Sequence, residues 1–177
     1  IVIARKQQWA GPVVAAANVI QTMPALALFA LLMPVVGIGN KAGVVAITLY
    51  AILPVLKNTY TGISGVDPSL LEAGRGLGMT EGQLLLRVQL PLAVPVIMSG
   101  IRTAAVLAVS LATLVALIGG GGLGKLIYSG INKVDNTEIL VGAFLAAGLA
   151  IITDVVLGKV EQRLHWETSG GSKGGEG

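Results

Sequence analysis

The chain has no cysteine, a single histidine and few charged or aromatic side chains. The absence of cysteine excludes disulfide bonds, a thiol nucleophile and thiolate metal ligands, and one histidine cannot form a metal site by itself. No Ser/His/Asp set, no HExxH pattern and no paired carboxylates are present, so the sequence offers no catalytic constellation. We therefore expect no enzyme activity, no cofactor and no metal site.

Charge is scarce. Charged residues make up 12% of the 177 residues, whereas soluble domains contain about 25%. Twelve Lys and Arg residues exceed nine Asp and Glu residues, for a net charge of +3, which is too sparse for a nucleic-acid surface. Hydrophobic residues make up 54% and the mean hydropathy is +0.82. These values indicate an integral membrane protein built from helices.

Stretches without charge locate the membrane-spanning helices, each of which needs about 20 mostly apolar residues. We predict an all-α polytopic bundle with four spans, at about 13–36, 42–61, 92–118 and 139–158. The apolar residues do not alternate strictly, which argues against a membrane β-barrel. The alternative, four buried helices of a large soluble protein, leaves too few charged residues for an outer surface.

The distribution of Lys and Arg predicts the orientation, because cytoplasmic loops carry more of them. Seven lie on one side of the predicted bundle: Arg5, Lys6, Lys57, Arg75, Arg87, Lys159 and Arg163. Three lie on the other side: Lys41, Lys125 and Lys133. We expect both ends of the chain and the 62–91 loop to be cytoplasmic. We also expect helices to be missing before residue 1 and a flexible cytoplasmic tail over 166–177.

The loop over residues 62–91 contains signals for two short helices. Asp67 is a candidate N-cap with Pro68 at the first helical position. Gly76 and Gly78 are expected to end this first helix, because glycine reaches positive φ at little cost. The prediction is a helix that lies outside the membrane.

The second helix of the loop is predicted to begin at Thr80, with Gln83 at the capping-box position. Pro91 and Pro95 are expected to mark where the third span begins. A simple linker would need no pair of capped helices and would tend to be shorter.

The spacing of residues in this loop resembles the EAA loop of ABC-importer permeases, which reads EAA, three residues, G, nine residues, I-x-LP. The corresponding residues here are Glu72-Ala73-Gly74, Gly78 and Val88-Gln89-Leu90-Pro91. Gly74 stands where Ala is usual and Val88 where Ile is usual. The resemblance implies that this loop docks into a cytoplasmic ATPase subunit. The implied coupling residues are Glu72, Ala73, Gly74, Gly78, Leu90 and Pro91.

Flanking segments, over roughly residues 13–165, resemble the permeases of glycine betaine, carnitine and choline uptake systems. The resemblance implies that residues 1–165 form the permease domain of an ATP-driven osmoprotectant importer in the bacterial inner membrane. Its implied partners are a separate ATPase, an extracytoplasmic binding protein and a second permease copy or paralogue. Another solute, such as methionine, is an alternative. A different class of protein, an ion-coupled secondary transporter, is a further alternative. It would need intramembrane carboxylates, and only Asp154 is suitable.

Polar residues inside apolar stretches are candidates for contacts between helices or with the transported solute. Asn18, Gln21 and Thr22 share one helical face, which would either hydrogen-bond a neighbouring helix or line the pathway. Arg102 and Asp154 would form an intramembrane ion pair; alternatively Arg102 extends to the interface or contacts the solute.

The segment GGGGLGK at 119–125 resembles a phosphate-binding loop, but Leu126 stands where Ser or Thr is needed and no strand is expected before it. We interpret it as a tight outer turn. The aromatic residues are scattered, so no cage for a quaternary ammonium is visible. High-affinity recognition is therefore expected in another chain.

Overall fold

The computed structural model of the chain describes residue 15 and residues 18–169, with side chains up to residue 164. These residues form helices and connecting turns without a β-strand. After a helical segment at 18–22, the helices are α1 (Ala25–Val36), α2 (Asn40–Ser64), α3 (Pro68–Gly76), α4 (Glu81–Leu84), α5 (Leu90–Leu114), α6 (Gly124–Lys133) and α7 (Asn136–Ser169). A π-helical turn at Leu85–Gln89 joins α4 to α5, and a 3₁₀ turn at Val115–Ile118 follows α5.

The predicted all-α membrane fold is confirmed. Three of the described helical stretches are long and apolar enough to cross a membrane: Asn40–Ser64, Glu81–Ile118 and Asn136–Leu164. They contain the predicted spans 42–61, 92–118 and 139–158. Helix α7 continues to Ser169, so residues 166–169 of the predicted tail are helical, while 170–177 lie outside the described residues.

The first predicted span, at 13–36, is not one continuous helix. Residues 13, 14, 16 and 17 lie outside the described residues, and the remainder is interrupted at Met23 and Pro24. Pro24 has extended backbone angles (φ −60°, ψ 135°) and precedes α1. Because α1 has 12 residues, it is about 18 Å long, which is shorter than the roughly 30 Å hydrocarbon core.

Pro91 marks the start of the third span, as the sequence predicts, because α5 begins at Leu90. The loop nevertheless continues into the span, since α4, the π-helical turn and α5 form one continuous helical stretch. Pro91 has no N–H, so the continuous helix lacks one backbone hydrogen bond at this position. The wider π-helical turn before it absorbs the change in hydrogen-bond pattern. The loop is therefore joined directly to the span.

Helices α2 and α5 pack closely because small residues lie between them. An ideal Cβ at Gly100 of α5 would lie 2.8 Å from Asn58 Cβ, and one at Gly62 of α2 would lie 3.1 Å from Ala93 Cβ. Ala93 and Ala46 are fully buried. Small residues allow close approach of backbones, which is how helices associate in lipid, where the hydrophobic effect between them is weak.

Helix α6 runs antiparallel to the first turns of α7. An ideal Cβ at Gly130 would lie 2.7 Å from the backbone nitrogen of Ile139, and one at Gly142 would lie 2.8 Å from Ile127 Cγ1. Helix α7 otherwise packs mainly on α5. Large apolar side chains, such as Phe144 at 74% exposure, cover much of its remaining surface, as expected for a helix that faces lipid.

Candidate coupling loop and polar groups between the helices

The loop between α2 and α5 begins with the predicted cap. Ser69 N donates to Asp67 Oδ1 at 2.8 Å, and Pro68 occupies the first helical position. The hydrogen bond from the Ser69 amide holds the pKa of Asp67 below its usual value. The predicted N-terminus of the first loop helix is therefore confirmed.

Two glycines were expected to end this helix, and the chain leaves the helix over Gly76 to Gly78. Gly78 has a φ of +78°, in the region that favours glycine. Gly76 is the last residue of α3 and has no positive φ. Met79 N then donates to Gly74 O at 3.0 Å, which closes the turn. The reversal of the chain therefore depends on Gly78.

The second helix begins with the predicted capping box. Gln83 N donates to Thr80 Oγ1 at 3.3 Å, and Thr80 N donates to Gln83 Oε1 at 2.9 Å. An exposed ion pair, which the sequence analysis missed, spans the turn between the two helices: Arg75 Nε lies 2.8 Å from Glu81 Oε1. The hydrogen bond to Glu81 holds the pKa of Arg75 above its usual value.

The residues of the EAA resemblance lie on different faces. Glu72 and Ala73 are exposed on α3, and Gly74 is the buried residue of that helix. Gly78 lies in the exposed turn, and Leu90 and Pro91 begin α5. The exposed positions are available to a partner, whereas Gly74 packs inside the loop against Leu84 and Met79.

The loop is also connected to the end of α2. Gln89, in the π-helical turn, donates from Nε2 to the carbonyl of Ile63 at 3.5 Å, a long hydrogen bond. Ile63, Leu85 and Ala93 form a buried apolar cluster at the same place. A displacement of the loop would therefore be transmitted to α2 and α5 together.

Arg102 and Asp154, the residues of the expected ion pair, are in direct contact. Arg102 Nε lies 2.6 Å from Asp154 Oδ1, and Arg102 Nη2 lies 2.7 Å from Asp154 Oδ2. A second carboxylate also contacts the arginine: Glu161 Oε2 lies 3.2 Å from Arg102 Nη1. Glu161 was not predicted from the sequence, although its spacing of two helical turns from Asp154 places both residues on one face of α7.

A glycine makes room for this arginine. Gly158 is buried, and an ideal Cβ there would lie 3.2 Å from Arg102 Cζ. Gly158 lies between Asp154 and Glu161 on the same face of α7. We refer to Arg102, Asp154, Glu161 and Gly158 as the Arg102 network; it joins α5 to the second half of α7.

The polar face of the 18–22 segment meets a lysine from α2. Lys57 Nζ donates to Gln21 Oε1. Thr22 donates its hydroxyl to the carbonyl of Val19 at 2.7 Å, and Asn18 is exposed. The structure thus brings Gln21 to a neighbouring helix and leaves Asn18 and Thr22 at the surface. Lys57 had been counted only as part of the cytoplasmic charge.

The glycine-rich segment is a tight turn, as expected. Gly119 and Gly122 have positive φ angles of 82° and 94°. Gly121 N donates to Asn40 Oδ1 at 2.9 Å, and an ideal Cβ at Gly124 would lie only 1.8 Å from the carbonyl oxygen of Thr113. The segment follows a 3₁₀ turn rather than a strand, which removes the structural context of a phosphate-binding loop.

The sequence profile of one protein family matches residues 1–165. Its description is "Binding-protein-dependent transport system inner membrane component". The chain belongs to this family. It is therefore a transport subunit of the inner membrane that works with a binding protein, and ATP hydrolysis takes place in a separate ATPase subunit.

Relatives within this permease family cover nearly the same range. The carnitine transport permease protein OpuCD of Listeria monocytogenes is 49% identical over 166 residues, which are 93% of this chain and 74% of the relative. The choline transport system permease protein OpuBB of Bacillus subtilis is 45% identical and covers 93% of this chain and 76% of the relative. The glycine betaine/carnitine/choline permease OpuCB of Bacillus subtilis is 43% identical, with the same coverage.

Solved structures agree with the permease fold. An inward-facing MetNI methionine ABC transporter aligns with a TM-score of 0.80 over 92% of this chain and 78% of the matched chain. A second MetNI crystal form aligns with a TM-score of 0.76, over 85% and 73%. Sequence identities of 22% and 21% limit this likeness to the fold.

Proposed function

We propose that the chain forms the translocation pathway of an importer for small quaternary ammonium osmoprotectants such as glycine betaine, carnitine or choline. The observation that carries this proposal is the identity of 43–49% over 93% of the chain with permeases named for these solutes. The methionine alternative has weaker support, because the methionine transporter shares 21–22% identity.

We further propose that residues 62–91 are the coupling element for the ATPase subunit. Two capped helices, an exposed Glu72 and a turn fixed by Gly78 give this loop a defined shape. The continuous helical stretch Glu81–Ile118 connects the loop to a span. Both ends of the chain and this loop would then face the cytoplasm, in agreement with the excess of Lys and Arg on that side.

A second permease copy or a paralogue would complete the pathway. Three candidate spans in the described residues are few to enclose a solute, and large apolar side chains of α2, such as Ile52 at 51% exposure, remain uncovered.

The coupling proposal is tested by two substitutions with matched controls. Glu72→Lys reverses an exposed charge, and Gly78→Val places a β-branched residue at a φ of +78°. We expect both to abolish ATP-driven uptake and to weaken co-purification with the ATPase, while the permease remains in the membrane. The controls are Glu72→Gln and Gly76→Val, because Gly76 has no positive φ and an ideal Cβ there meets nothing within 4 Å.

Uptake by vesicles that contain the whole importer is the measurement, with labelled glycine betaine, carnitine, choline and methionine. Uptake of methionine alone would contradict the proposed solute class. Normal uptake and normal ATPase association in both Glu72→Lys and Gly78→Val would contradict the coupling role.

A further inference from the structure

The 18–22 segment and α2 bring several polar groups together. Lys57 is half-buried and belongs to the candidate span Asn40–Ser64. It lies seven residues before Ser64, roughly 10 Å along a straight helix. Its ammonium group donates to Gln21 Oε1, and Gln21 lies on the same face as Asn18 and Thr22. These four residues are called the Lys57 cluster below.

Within the part of the chain that the structure describes, no carboxylate forms an ion pair with Lys57. Among the residues that the structure describes, the ion pairs within 4.0 Å join Arg75, Arg102 and Lys133 to acidic groups, and Lys57 takes part in none of them. Its hydrogen-bond partner, Gln21, is a neutral amide. A charged group between transmembrane helices faces a partner or a water-filled cavity, because hydrocarbon does not solvate it.

The side chain of Asn18, on the same face as Gln21, supports a wet environment. Asn18 is exposed, and so is Thr22, whose hydroxyl already donates to the carbonyl of Val19. An exposed amide that faced lipid would leave its hydrogen-bonding groups without water, which is unfavourable. This face is therefore turned toward water or toward another protein rather than toward lipid tails.

A helix interruption lies next to the cluster. The helical conformation is interrupted at Met23 and Pro24, and the hydroxyl of Tyr50 donates to the carbonyl of Met23. Tyr50 is buried in the core, so this contact holds the interruption in place. Interrupted helices with polar groups beside them are typical of solute sites in transporters.

We propose that Lys57, oriented by Gln21, contacts the carboxylate of a zwitterionic solute as it passes through the pathway. A lone cation attracts an anionic group and disfavours a solute that carries only positive charge. Glycine betaine and carnitine carry a carboxylate, whereas choline carries a hydroxyl in its place. The site would therefore favour carboxylate-bearing quaternary amines over choline. This inference rests on the proposed transport function.

The test uses the complete importer, with its ATPase and its loaded binding protein at saturating concentration, in lipid vesicles. Uptake of labelled glycine betaine and choline is measured separately for the wild type, Lys57→Met, Lys57→Arg and the exposed control Lys159→Met. We expect Lys57→Met to lower glycine betaine uptake about tenfold, in line with the loss of a charged hydrogen bond. Choline uptake should stay unchanged or rise, and Lys57→Arg and Lys159→Met should retain the wild-type pattern.

Each other outcome contradicts the inference. An equal loss for both solutes, with Lys57→Arg equally impaired, would show that Lys57 only supports the packing of α2 against the 18–22 segment. Normal glycine betaine uptake by Lys57→Met would show that the ammonium group merely extends toward the interface. A wild-type complex that carries neither solute would contradict the proposed function itself, and the inference with it.

Discussion

Gly74 and Leu84 share the contact between α3 and α4. An ideal Cβ on Gly74 would lie 2.5 Å from Leu84 Cδ2, and Leu84 is only 1% exposed. The EAA pattern has alanine at the position of Gly74. In this chain the Leu84 side chain occupies the space that an alanine methyl group would need. The departure from the pattern is thus matched by the packing around it.

Gly74→Ala should destabilise the loop despite the better helix propensity of alanine. The propensity gain is at most about 1 kcal/mol, whereas overpacking costs about 1–3 kcal/mol. We expect a lower melting temperature for the purified complex. Gly76→Ala is the matched control, because it lies on the same helix with nothing within 4 Å and should leave the melting temperature unchanged or raise it.

A second substitution shows whether Leu84 is the cause. Leu84→Val removes the Cδ atoms, so the double variant with Gly74→Ala should be more stable than the sum of the two single effects, by about 0.5–3 kcal/mol. If the effects of Gly74→Ala and Leu84→Val on stability are strictly additive, Leu84 is not the residue that collides with the new methyl group.

Removal of Arg102 should destabilise the bundle because it leaves two carboxylates, Asp154 and Glu161, without their cation. Breaking a buried pair costs about 3–5 kcal/mol, but these side chains are 37% and 41% exposed for Arg102 and Asp154. A loss smaller than that for a fully buried pair is therefore expected for Arg102→Ala. Thermal unfolding of the solubilised complex is the measurement, with Arg163→Ala as the charge-loss control.

Neutralising the carboxylates should reverse this loss in two steps. Asp154→Asn in the Arg102→Ala background recovers part of it, and Glu161→Gln recovers more, since Glu161 also contacts the guanidinium. If neither substitution improves the Arg102→Ala variant, the ion pairs do not stabilise the chain, and Arg102 would be better explained by extension toward the interface.

The orientation can be read from cysteine labelling, since the chain has no cysteine of its own. We expect Asn132→Cys to react with an impermeant reagent on intact cells, and Gly76→Cys to react only after permeabilisation. Both positions are exposed. The reverse labelling pattern would invert the proposed topology and place the loop on the wrong side for an ATPase.

Local signals in the sequence predicted much of the candidate coupling loop. Asp67, Thr80 and Gln83 form the expected caps, because a cap requires only a side chain and backbone groups two or three residues away. The same holds for Gly78, whose positive φ depends on the absence of a side chain. The spacing of the EAA-like residues also pointed to the family.

The prolines show where local signals were insufficient. Pro91 marked the start of α5, but no local signal showed that α4 and the π-helical turn would join it in one helical stretch. Pro24 lies within the predicted span 13–36, but the helix is interrupted there, and the hydroxyl of Tyr50, distant in sequence, donates to the Met23 carbonyl.

The sequence by itself determined the class of this protein: low charge and long apolar stretches require a membrane, and short-range spacing sets the caps and turns of the loop. Only the tertiary structure decided which distant residues meet. Glu161 joins Arg102, Gln21 meets Lys57, and Leu84 fills the space beside Gly74. These contacts depend on the relative rotation and depth of whole helices, which interhelical packing sets and local sequence does not encode.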